Sequence, residues 1–194
     1  MNNYYKKLLA FMLVLLALPA FSAWQVDPNH STISFISTKK GDVAEVHHFT
    51  KFSGDLSAQG SVKVTINLAS VSTGIPKRDQ RMVEYLFQAA KFPTASFTAK
   101  LDQTMLEHLT VGETQAINVS GIIDLHGAQQ SMSMPVVVAK LAANKLLITS
   151  REPVIIHAAD FGLTAGIMKL QSLAALPSIS KAVPFSFVLT IEQH

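Results

Sequence analysis

From Val183 to Glu192 the odd positions Val183, Phe185, Phe187, Leu189 and Ile191 are large and apolar, while Ser186, Thr190 and Glu192 between them are polar. A period of two puts successive side chains on opposite faces of a strand, so this stretch predicts a strand with one apolar face. Val62, Val64, Ile66 and Leu68 stand against Lys63, Thr65 and Asn67 in the same way. Ile33 with Phe35, Phe97 with Ala99 and Leu101, and Ile117 with Val119 up to Gly121 repeat it. Further strands are expected over 132–138, 146–149 and 154–156. Roughly eight strands separated by turn signals predict an all-β antiparallel sandwich or barrel.

Two segments break the alternation. Met82, Val83, Leu86 and Phe87 recur at helical spacing within 78–87, and Ile167, Leu170, Leu173 and Ala174 do so within 165–176, before Pro177. Both predict short amphipathic helices set between strands. Ahead of the first, Gly74-Ile75-Pro76 ends a strand, because proline has no N–H to donate to a ladder. Asp79 then falls in the first helical turn, where a carboxylate complements the positive helix terminus. No repeat or compositional shift divides the chain, so 24–194 reads as one domain.

The first 23 residues have a different character. Lys6 and Lys7 precede an apolar run from Leu8 to Leu18, followed by Pro19-Ala20-Phe21-Ser22-Ala23. This is the order of a cleaved secretory signal, with the cut after Ser22 or Ala23 and a periplasmic or secreted destination. The apolar run is shorter than the ~18 residues of a spanning helix. Losing the two lysines leaves 14 of the 16 bases against 13 acids, so the net charge falls from +3 to +1. A nearly neutral chain without basic clusters gives no reason to expect nucleic acid as a partner. The absence of cysteine excludes disulfides, thiolate metal sites and a cysteine nucleophile. About 170 residues are enough to stabilise a domain by its core alone.

Catalytic signatures are missing: there is no Gly-x-Ser-x-Gly elbow, His-Glu-x-x-His motif, phosphate-cradling loop or dinucleotide fingerprint. No catalytic residue, cofactor or metal site is therefore assigned. His47 and His48 are adjacent and point to opposite faces of a strand, whereas Glu45 and His47 can share one. His30, His126 and His157 are scattered, and His30 reads as part of a polar turn leading into the first strand.

Several stretches together resemble the YceI-like family, the polyisoprenoid-binding lipocalin-like barrels of bacteria. They are Trp24-Gln25-Val26-Asp27-Pro28-Asn29-His30-Ser31-Thr32-Ile33-Ser34-Phe35, Phe49-Thr50-Lys51-Phe52-Ser53-Gly54, and Ser70-Val71-Ser72-Thr73-Gly74 with Arg78-Asp79. Phe92-Pro93-Thr94-Ala95-Ser96-Phe97, Gly121-Ile122-Ile123-Asp124-Leu125-His126-Gly127 and Asp160-Phe161-Gly162 follow in the family's order. Two places depart from the common pattern: Val46-His47-His48-Phe49 replaces a small glycine-containing turn, and 166–180 reads as a longer helical insertion.

The resemblance implies an extended barrel of about eight antiparallel strands with two short helices. It also implies a long amphiphile inside, such as a polyisoprenoid or isoprenoid quinone, transient membrane contact during exchange, and dimers in some members. On that basis Phe35, Phe49, Phe52, Phe97, Phe185, Phe187 and Leu189 are expected in the ligand-binding wall. Arg78 and Asp79 either hold a polar head group at the mouth or fix the adjacent loops. Two alternatives stand beside this reading: an enzyme acting on such a lipid through His30, His47 or Asp79, and a packed barrel serving as a stress or interaction module.

Overall fold

The computed structural model describes residues 24–102, 104 and 108–193; the expected leader lies outside the described residues. The alternating stretches pair into antiparallel ladders. In chain order they are β1 (Trp24–Lys39), β2 (Val43–Phe49), β3 (Phe52–Leu56), β4 (Ser61–Asn67), β5 (Val71–Ser72) and β6 (Thr94–Lys100). β7 (Thr114–Leu125), β8 (Ala128–Ala142), β9 (Lys145–Ser150), β10 (Val154–His157) and β11 (Ala182–Gln193) follow. The order β1-β3-β4-β6-β7-β8-β9-β11 returns to β1, closing an all-β barrel of eight strands.

β2 and β10 lengthen the barrel. β1 pairs with β3 at Trp24 and Gln25, then with β2 from Ile33 to Lys39. β11 likewise pairs with β9 from Val188 to Glu192 and with β10 from Ala182 to Phe185. Thus β2 with β3, and β9 with β10, each act as one strand interrupted by a short break. The segment 46–49, where the sequence departs from the family's turn, is strand; the reversal lies earlier, where Lys40 and Gly41 both take positive φ.

The polar stretch at Asp27–Ser31 also differs from expectation. It does not lead into the first strand but bulges from its middle, because β1 has already begun at Trp24. Register with β11 shifts between Asp27 and Thr32. Asp27 closes the bulge by accepting from the Asn29 N–H at 2.9 Å and contacting His30 Nδ1 at 2.5 Å. Ser31 Oγ donates to the Asp27 carbonyl and accepts from the Thr190 N–H, replacing lost ladder bonds.

Helices cover one end. Pro76–Arg81 forms α1, with proline in its first turn. It passes into a π-helical turn, Met82–Leu86, in which the Phe87 N–H donates to the Met82 carbonyl at 2.9 Å. Thr164–Leu173 forms α2, and Ala175 at φ +50° ends it before Pro177. Arg81 donates to the Leu173 carbonyl and Lys169 lies over the Tyr85 ring, so α2 runs antiparallel to the first helix. The crossing depends on Gly166, where a Cβ would stand 2.7 Å from the Tyr85 carbonyl oxygen. Among the described residues no helix is long and apolar enough to cross a membrane.

Two apolar clusters fill the interior. One gathers Ile33, Phe35, Phe49 and Leu189 beneath the helices, and the other gathers Val119, Val136, Val138 and Ile191 farther along. Val26, Ile156, Phe185 and Phe187 pack against both. Gly121 allows β7 to approach β6, since a Cβ there would lie 2.3 Å from the Thr98 carbonyl oxygen and 2.6 Å from the Phe97 ring.

Candidate ligand cavity

The clusters leave a cavity of about 230 Å³ between them. Its wall follows from strand parity. Register sets Ile33 opposite Phe187 and Phe35 opposite Phe185, while Phe97 faces Val64 across β6 and β4. Phe35, Phe49, Phe97, Phe185, Phe187 and Leu189 all line the space. Among the described residues around it, only Asp55 and Ser96 carry polar side chains. Such a surface gives dispersion and burial to a hydrocarbon and almost no hydrogen bonds to a polar solute.

Phe52 does not line the cavity; it is the first residue after the break between β2 and β3 and packs on the cluster beneath the helices. The helices contribute residues that strand alternation did not nominate: Leu86, Phe87, Leu163 and Ile167 form part of the wall. Their signal was the apolar face of the two helical segments, which marks a packed surface without saying what it faces. Phe49 joins the walls of sheet and lid, with ring centroids 5.4 Å from Phe35 and 5.8 Å from Phe87.

Arg78 and Asp79 are not among the lining residues. Asp79 accepts from the Thr73 N–H at 2.9 Å and from its hydroxyl at 2.5 Å. Arg78 donates to Thr73 Oγ1, to the Thr73 carbonyl and to Glu45 Oε2. Together they tie the loop after β5 to α1 and to β2.

Glu45 also receives Lys39 Nζ at 2.5 Å. Its hydrogen bond from Lys39, with Arg78 adding to it, holds its carboxyl below the usual range. Two residues on, His47 is 1% exposed. Burial, reinforced by the nearby Arg78 charge, pushes its pKa down to about 4, so the ring is neutral at pH 7. His47 Nε2 lies 2.8 Å from Ser37 Oγ, and its ring packs edge-on against Phe35. His48 is exposed on the opposite face. His30 is engaged with Asp27 in the bulge, far along β1 from the others, while Asp79 is bonded to Thr73 and is linked through Arg78 to Glu45, whose carboxylate lies 3.9 Å from His47 Nε2. Among the described residues no group of three or more His, Cys, Asp or Glu stands close enough to hold a metal ion.

Comparison with known proteins agrees with this architecture. The sequence profile of the YceI-like domain matches residues 24–191. No curated protein matches the chain. A solved polyisoprenoid binding domain from Saccharophagus degradans, described as implicated in plant cell wall breakdown, is 38% identical; the match covers 89% of this chain and 99% of that one, with a TM-score of 0.87. BcnA of Burkholderia cenocepacia is 24% identical over 85% of this chain and 98% of its own, with a TM-score of 0.67, and shares the fold. The YceI protein of Campylobacter jejuni shares it too, at 17% identity over 76% of this chain and 84% of its own, with a TM-score of 0.56. Barrel, order of motifs and sequence match together place this chain in the YceI-like domain family.

Proposed function

We propose that the protein is an exported binding protein that sequesters or carries a long-chain amphiphile, a polyisoprenoid, isoprenoid quinone or similar lipid, inside the barrel. The observation that carries this reading is the cavity: about 230 Å³ lined, among the described residues, by side chains of which all but Asp55 and Ser96 are apolar. Phe35, Phe49, Phe97, Phe185, Phe187 and Leu189 are the proposed contacts for the tail, with Phe52 supporting them from the adjoining cluster. Arg78 and Asp79 hold the mouth loop in place. The description of the 38%-identical relative as a polyisoprenoid binding domain supports the choice of ligand class.

The energetics suit a carrier. At ~0.8 kcal/mol per buried methylene, one five-carbon isoprene unit removed from water gains about 4 kcal/mol. A bilayer offers the same gain, so exchange between membrane and barrel is nearly balanced. Selectivity then comes from shape and from a few polar contacts. Nothing in this process requires bond chemistry, and none is assigned. The leader expected over 1–23 supports a periplasmic or secreted location.

The test is native mass spectrometry of protein purified without detergent from the exported fraction, followed by organic extraction of what is released. A stoichiometric long-tailed amphiphile is expected. Protein that is empty, and stays empty when offered prenyl lipids and quinones, overturns the reading.

A further inference from the structure

The face of β1 and β2 that carries Phe35 and Phe49 does not stay apolar beyond the cavity. On β1 the inward series Ile33, Phe35 continues to Ser37 and Lys39, and on β2 Phe49 is preceded on the same face by His47 and Glu45. Past Phe35 this face therefore becomes polar; none of these four residues lines the cavity itself, and His47 adjoins it through the ring of Phe35. The charges there already answer one another: Glu45 is shared by Lys39 and Arg78, and Asp79 and Arg78 meet on Thr73. His47 is the exception. Its ring is buried, Nε2 has Ser37 with the Glu45 carboxylate 3.9 Å away, and Nδ1 has no hydrogen-bond partner among the described residues. A buried polar atom left without a partner is costly, so a ligand atom that supplies one is favoured at that point.

Building on the lipid-binding reading, we infer that His47 receives the polar end of the ligand, and that this end is an uncharged oxygen, a hydroxyl or carbonyl, in preference to a phosphate. Two features favour a neutral head. Lys39 and Arg78 are committed to Glu45, so an anion would have to compete with that carboxylate and face both it and Asp79. His47 is also held neutral by burial, so it offers a hydrogen bond and not a cation. Both tautomers fit. If Ser37 donates to Nε2, Nδ1–H donates to a hydroxyl or carbonyl oxygen; if Nε2–H donates to Ser37, Nδ1 accepts from a hydroxyl.

The test uses three probes with C20 isoprenoid tails: geranylgeraniol, geranylgeranyl phosphate, and phytane, which lacks a head. Each is titrated into the delipidated protein and into His47→Phe, which keeps a buried ring but no nitrogen. The native protein is expected to bind the alcohol more tightly than the phosphate. His47→Phe should weaken the alcohol about five- to tenfold, the worth of one neutral hydrogen bond, and leave phytane unchanged. Tighter binding of the phosphate, or unchanged alcohol affinity in His47→Phe, overturns the inference while the lipid-binding reading stands. If no probe binds, including phytane, that reading fails and the inference with it. The ring nitrogen shifts of His47 in the native protein provide a readout without substitution: Nδ1 should move with the alcohol and not with phytane, and an unmoved signal in the loaded protein overturns the assignment.

Discussion

Replacing Ala95 by leucine distinguishes an open barrel from a packed one by the sign of a single number. Ala95 is buried on β6, opposite Ile66, and lines the cavity. Leucine adds three carbons. Entering existing space, they gain ~0.8 kcal/mol each, or about 2.4 kcal/mol, less ~0.5–1 kcal/mol for fixing the longer side chain. The net stabilisation is about 1.5 kcal/mol, which raises the melting temperature of a domain of this size by roughly 3–6 °C. In a filled interior the same substitution overpacks the core and costs about 1–3 kcal/mol. The two cases thus differ by several kcal/mol, well beyond the error of urea denaturation on delipidated protein. Lipid loading should fall in the same variant, because the added branch occupies the tail's space. A lower unfolding midpoint with undiminished loading would refute the reasoning, since it would place the tail elsewhere.

Other expectations follow from particular contacts. Gly121→Ala should destabilise by about 1–3 kcal/mol in chemical denaturation, because its Cβ would meet the Thr98 carbonyl and the Phe97 ring. Stability should fall as pH drops from 6.5 towards 4: the unfolded chain protonates its histidine near 6.5, whereas native His47 resists until about 4. The full loss approaches about 3 kcal/mol by pH 4, and His47→Phe should flatten that limb of the curve. Glu45, held ionised by Lys39 and Arg78, adds a further loss at lower pH, so the two contributions separate along the titration. Arg78→Lys keeps the charge but loses the fork that joins Glu45 to both oxygens of Thr73. Hydrogen exchange over 71–77 should quicken while the amount of bound lipid stays constant.

Legibility from sequence followed the strength of the alternation. In β11 every second residue is large and apolar, and the inward direction of Phe185, Phe187 and Leu189 followed from spacing alone. β2 was harder, because Glu45, His47 and Phe49 share a face yet differ in polarity. Glu45 is answered there by Lys39 across the hairpin and by Arg78, 33 residues away, and no local pattern reports the second partner. The bulge at Asp27–Ser31 reads as a turn because its residues are turn formers; only pairing with β11 continues the strand on both sides. Phe52 illustrates a further limit: its inward parity is right, but the break just before it sets it beside the cavity. Whether the interior is filled or open is invisible to alternation, since both need the same apolar face.

The closure of the ring carries a consequence for how the chain reaches this state. β1 and β11 are neighbours, with Trp24 opposite Gln193 and Val26 opposite Ile191. The two ends of the fold thus form one ladder, and the contacts that seal the barrel join residues at the greatest separation the described chain allows. Such non-local pairing slows folding, because the entropy of closing the whole chain is spent before the seam rewards it. A chain emerging from a ribosome, amino end first, has to wait for β11 before the barrel can close. Until then the apolar faces of the earlier strands remain uncovered, and removing β11 would leave an open sheet with two unprotected edges.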